Sequence, residues 1–113
     1  MRFYLAPMEG ITGYIYRNAL YSCYNNIDKY FTPFIMPNRN RCFNSRELKD
    51  VLPENNRGMY TVPQILSNNA EDFVKTALEL QSMGYDVQLR TSEHRSMYSY
   101  VRLSSIECTA TYV

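Results

Sequence analysis

The sequence predicts an α/β fold in which parallel strands are joined by helical crossovers. Two observations carry that prediction. Three short runs rich in aromatic and β-branched residues, around residues 3–8, 29–36 and 60–66, are separated by stretches with helical signals. In addition, no hairpin signal such as Asn-Gly stands between consecutive runs. Strands that alternate with helices pair in parallel through right-handed crossovers.

The first run, Phe3 to Met8, is stopped by Pro7 and Gly10 and reads as a buried strand. Thr12 is placed to cap a helix from about Gly13 to Cys23, with Ile11, Ile15 and Ala19 as its apolar face and Asn25-Asn26 as its end. Lys29 to Met36 (KYFTPFIM) is the second strand, closed by Pro37. A polar loop, NRNRCFNSREL, then leads into a short amphipathic helix near Ser45 to Val51, with Pro53 as its stop.

Tyr60 to Leu66 (YTVPQIL) is the third strand. Asn68 and Glu71 resemble a capping box, and Ala70, Phe73, Val74 and Ala77 follow at helical spacing. Gly84 is the expected left-handed cap of that helix, and Tyr85 to Leu89 begins a fourth strand. A closed barrel of eight such units needs about 250 residues, or about 30 per unit. With 113 residues the chain is expected to form the incomplete N-terminal part of a (β/α)8 TIM barrel.

Composition narrows the function classes. A 45% hydrophobic and 20% charged chain is globular, and a net charge of +1 gives no field that would by itself attract nucleic acid or a membrane. Cys23, Cys42 and Cys108 are odd in number and lack a Cys-x-x-Cys pair, which suits neither a disulfide framework nor a zinc site. No metal site is expected. Pro7 and Glu9 interrupt the apolar stretch a secretion signal needs, and no run approaches the roughly 18–20 apolar residues of a membrane span. A cytoplasmic protein without membrane contact is expected.

Three features could carry chemistry. Leu5-Ala6-Pro7-Met8-Glu9-Gly10 makes a turn at the C-terminal end of a strand, the edge where parallel α/β folds place ligands. Met8 could lie against an aromatic cofactor through its polarizable sulfur; equally, the strand could simply end in a turn, with Met8 in the core. Gln64 is a polar residue within the apolar Val62-Pro63-Gln64-Ile65-Leu66, suited to a ligand's polar edge if buried, or to solvent if the strand face is open. The loop after the second strand carries Arg39, Arg41 and Phe43, a set that can meet phosphates and stack on a base, or can be a solvated loop.

Taken together, APMEGIT after the first strand, TPFIM in the second, VPQIL in the third and the helix NNAEDFVKTALELQSMGYD resemble the tRNA-dihydrouridine synthase family in order and spacing over residues 1–86. The resemblance implies an FMN-binding (β/α) barrel that uses NADPH to reduce a uridine of tRNA to 5,6-dihydrouridine. It puts Pro7, Met8 and Glu9 on the segment lining the flavin and Gln64 on the glutamine that hydrogen-bonds its ring. Another flavin barrel oxidoreductase would share part of this pattern.

The resemblance stops at residue 86. The family continues into Asn-x-Gly-Cys-Pro, whose cysteine is the general acid, whereas residues 87–113 contain no glycine, proline or asparagine. Cys108 comes too late and in the wrong setting, and His94 stands among polar residues without a base-and-orienter set. No catalytic residue is therefore assigned. Residues 1–86 are expected to be the flavin-barrel portion, and 87–113 a divergent tail translated out of frame or spliced from elsewhere, with a genuine divergent segment as the alternative. The alternative function is a non-enzymatic fragment that binds RNA or a partner. An unclosed sheet is expected to self-associate.

Overall fold

The computed structural model describes residues 1–85 in full, together with the backbone of 87–90 and 98–101. Strands β1 (Tyr4–Leu5), β2 (Lys29–Ile35), β3 (Thr61–Leu66), β4 (Val87–Arg90) and β5 (Tyr98–Val101) lie in one sheet in chain order. The first four pair in parallel. Helices α1 (Tyr14–Cys23), α2 (Ser45–Val51) and α3 (Ala70–Ser82) form the crossovers, and a single 3-10 turn, Pro53–Asn55, follows α2. The α/β class and the alternation of strand and helix are as expected. The all-parallel pairing is not, because β5 runs antiparallel to β4. Val87–Arg90 and Tyr98–Val101, both within the segment read as a divergent tail, thus extend the sheet.

The core follows from the strand alternation. Ile35 of β2 and Ile65 of β3 point to the helices and meet Val51 of α2 and Ala77 and Leu80 of α3. Phe43, Phe73, Met83 and Tyr85 seal its margins. Gly84 takes φ +95°, as a left-handed helix end requires. The cap at the other end of α3 is one residue later than expected: Asn69, not Asn68, accepts from the amides of Glu71 and Asp72. A reciprocal capping box stands instead at α2, where Asn44 Oδ1 accepts from Glu47 N and Glu47 Oε2 accepts from Asn44 N, both at 2.8 Å.

Helix α1 departs furthest from its apolar pattern. Ile11, Ile15 and Ala19 face outward, Ile15 being 71% exposed, whereas Arg17 is fully buried. The reason is a polar cluster between α1, α2 and β3. Arg17 donates from Nη1 to Thr12 O (2.8 Å), and from Nη2 to Asp50 O (2.6 Å) and Asn56 Oδ1 (2.9 Å). Asn56 donates back to the carbonyls of Asp50 and Leu52 and accepts from Thr61 Oγ1 at the start of β3. Nor does Thr12 cap α1. Gly13 occupies that position, and the Tyr14 amide is taken at 2.9 Å by Asp50 Oδ1 from the neighbouring helix. Asn18 of α1 also donates to Asn55 O, across 37 positions of chain. Burial lowers the pKa of Arg17, opposed by the charge of Asp50 and then by Tyr85.

Two predictions follow from this packing. Replacing Arg17 by Met removes three buried charge-assisted hydrogen bonds, so urea unfolding should show a loss of about 3 kcal/mol or more at unchanged m value. Arg17→Lys should recover only part of it, because an ammonium lacks the planar fork. The second concerns alkaline pH. Burial pushes Tyr30 upward, helped by Tyr21; burial also raises Tyr85, against the lowering effects of Arg17 and Asn56. Both folded values lie above the unfolded one, so stability is intact below about pH 10 and is lost as pH rises through the folded values. Thermal melts between pH 8 and 11 (about two units below the tyrosine value to one above) should show this fall, reduced in Tyr85→Phe.

Candidate functional site

The residues singled out for chemistry collect around the C-terminal half of the parallel strands. After β1 the chain folds into a tight turn. Met8 O accepts from the amides of Ile11 and Thr12, each at 3.0 Å, and Gly10 supplies the φ of +77° that the turn needs. Thr12 closes it from inside. Its buried hydroxyl accepts from Met8 N at 2.9 Å and donates to Met8 O at 3.1 Å. Pro7 is half-buried, and the Met8 side chain is 50% exposed, so Met8 is not a core residue.

Glu9 reaches sideways from that turn. Its Oε2 accepts from Phe34 N of β2 at 3.2 Å, and its Oε1 lies 3.0 Å from Arg46 Nη1 of α2. Phe34 is itself the register partner of Gln64 in β3. The register shift between Phe31 and Phe34 sets this level, and the Gln64 backbone N–H there donates to Thr32 Oγ1 at 3.1 Å. Since Ile65 faces the helices, Gln64 lies on the opposite face of the sheet. It is only 4% exposed, which removes the alternative of a solvated strand glutamine. Glu9 is thereby tied to Phe34, the β2 neighbour of Gln64, while Pro7 and Met8 precede it on the turn after β1.

The arginine loop is more ordered than a solvated connection. Asn38 and Arg41 exchange backbone hydrogen bonds at 3.0 and 3.2 Å, and Asn38 Oδ1 accepts from the amides of Asn40 and Arg41. Arg39 and Arg41 are exposed on this turn. Phe43 is not a free stacking face: it is half-buried against the core cluster and anchors the loop instead. The loop then enters α2, where Glu47 Oε1 accepts from Met36 N at 3.0 Å just past the end of β2. Glu47 and Arg46 are the residues that sequence reasoning passed over, and Thr12, read there as a helix cap, closes the Met8 turn instead. Only Glu47 left a signal, the Asn44-x-x-Glu47 spacing of a capping box.

His94 and Cys108 lie outside the described residues. Among the described residues no group of His, Cys, Asp or Glu is placed to hold a metal ion, and no helix is long and apolar enough to cross a membrane. No family model, no curated protein and no solved structure matches the chain.

Thr12→Val keeps the side-chain volume but leaves the Met8 amide and carbonyl without the hydroxyl. It should cost about 1–3 kcal/mol in chemical denaturation, and Thr12→Ser should restore most of it.

Proposed function

We propose that this chain is the N-terminal portion of a tRNA-dihydrouridine synthase, that its parallel sheet is the opening of a (β/α) barrel, and that it supplies one edge of an FMN site. One arrangement supports this. Glu9, from the turn carrying Met8, accepts from the amide of Phe34, and Phe34 is the register partner of Gln64. A primary amide both donates and accepts, as the polar edge of an isoalloxazine ring requires, and a half-exposed thioether suits its apolar face. These residues fit one side of the group. When bound, FMN would supply hydride transfer between NADPH and the uracil. The chain's own residues bind and orient: Gln64 fixes the ring edge, and the Pro7–Met8 turn limits where the ring can sit. Glu9 is engaged by Arg46 and Phe34, so its part is indirect.

Arg39 and Arg41 stand exposed just beyond β2, where guanidinium groups can take backbone phosphates, and tRNA is the partner we assign to them. We read the setting as cytoplasmic. The exposed apolar residues Phe3, Tyr4, Met8 and Ile11 beside the edge strand β1 favour self-association of the isolated chain. A second reading, a non-enzymatic piece that binds RNA or a partner, is favoured by one observation. The sequence contains no Asn-x-Gly-Cys-Pro, hence no counterpart of the family's general acid, a group worth roughly 10²–10⁴ in rate.

Two preparations separate these readings. The 113-residue chain, given FMN, NADPH and tRNA, should stay colourless and form no dihydrouridine. A chimera with a family C-terminal portion after residue 86 should be yellow and active, and Gln64→Leu in it should lower flavin affinity about tenfold or more. A folded but colourless chimera would exclude the synthase reading.

A further inference from the structure

We infer that Glu9 and Arg46 form a strut that positions the Met8 turn, so that Glu9 serves the candidate cofactor edge as a positioning residue and not as a ligand of it. The inference rests on the flavin-edge reading only for what the strut serves; the strut itself is a property of this chain. Both carboxylate oxygens of Glu9 are used within the protein, Oε2 by the Phe34 amide at 3.2 Å and Oε1 by Arg46 at 3.0 Å. One side chain thereby joins three elements: the turn after β1, the bulged half of β2, and the first turn of α2. Ion pairs between half-exposed side chains are weak when they stand alone. This one is reinforced at both ends. Arg46 sits in the first turn of a helix held by the Asn44–Glu47 capping box, and Glu47 grips Met36 N two residues beyond Phe34. The turn at the other end is closed by Thr12 on Met8. Glu9 therefore meets elements whose backbones are already fixed, which leaves only the two side chains to be ordered by the contact.

The strut also gives the arginine loop a mechanical connection to the edge. Arg39 and Arg41 lie on the chain between β2 and α2, and Arg46 follows them on the first turn of that helix. Holding Arg46 against Glu9 fixes the far end of that connection against the turn bearing Met8.

Native-state amide exchange on the whole 113-residue chain tests this without flavin. The Tyr30 amide, which donates to Tyr60 O, serves as the internal reference. In Glu9→Ala the Phe34 amide should exchange about tenfold faster or more, with Tyr30 unchanged, because a charge-assisted acceptor has been removed. Glu9→Gln, whose amide oxygen still accepts, should fall between. Arg46→Met should speed Phe34 exchange in the wild-type background and have no effect in Glu9→Ala. Where Glu9→Ala raises Tyr30 and Phe34 together through unfolding, the Gln and Met variants decide. Phe34 exchange within about twofold of wild type in all three variants would overturn the strut and leave Glu9 available to a ligand. A chimera that fails to hold flavin would leave this result standing, so the two ideas can fail separately.

Discussion

The buried guanidinium of Arg17 is the constraint on which the arrangement of the first half of the chain depends. A charge taken out of water is costly unless acceptors meet its donors. Here the acceptors of both Nη atoms come from three places: the loop before α1, the end of α2 and the turn after it, where Asn56 is tied in turn to Thr61 at the start of β3. Nε has no hydrogen-bond partner among the described residues. Among the described residues the apolar cluster is small, its buried members being Ile35, Val51, Ile65, Ala77 and Leu80, none of which belongs to α1. Apolar burial therefore holds α2 and α3 on the sheet, while α1 is held by hydrogen bonds and by the Tyr21–Tyr30 ring contact. Such a network specifies geometry more tightly than it adds stability, since each partner has one acceptable place.

That division of labour sets the candidate site. Thr12 gives its carbonyl to Arg17 and its hydroxyl to Met8, so the same residue ends the buried network and closes the turn after β1. Asp50 likewise serves twice, with its carboxylate on α1 and its carbonyl on Arg17. The positions of Met8 and Glu9 are thus set from behind by a polar layer and from the side by α2.

Much of this architecture was legible in the sequence. Strand β2, strand β3 and α2 were read to within a residue, because apolar runs bounded by proline and a short amphipathic stretch are local signals. Gln64 stood out in sequence as a polar residue among apolar neighbours, but whether it was buried or solvated was open until the sheet placed it at 4% exposure. The face of α1 was not, because periodicity scores Ile11, Ile15 and Ala19 as inward and cannot see that Asp50 and Asn56, more than thirty residues later, offer a polar seat to Arg17. Phe43 was misread for a similar reason: in sequence it belongs to a polar loop, and only the fold brings it to the core. The antiparallel pairing of β5 had no turn signal to announce it.

The inverted face of α1 also bears on the order of folding. A helix that hides an arginine and shows isoleucine to solvent gains nothing from early hydrophobic collapse, which would favour the opposite orientation. Its correct docking waits until Asp50, Asn55 and Asn56 are in place, across separations of 33 to 39 residues, and thus until α2 and the turn after it have formed. The N-terminal helix is accordingly among the last parts of the chain to consolidate, and φ-values near zero at Arg17 and Asn18 would be the kinetic mark of that sequence.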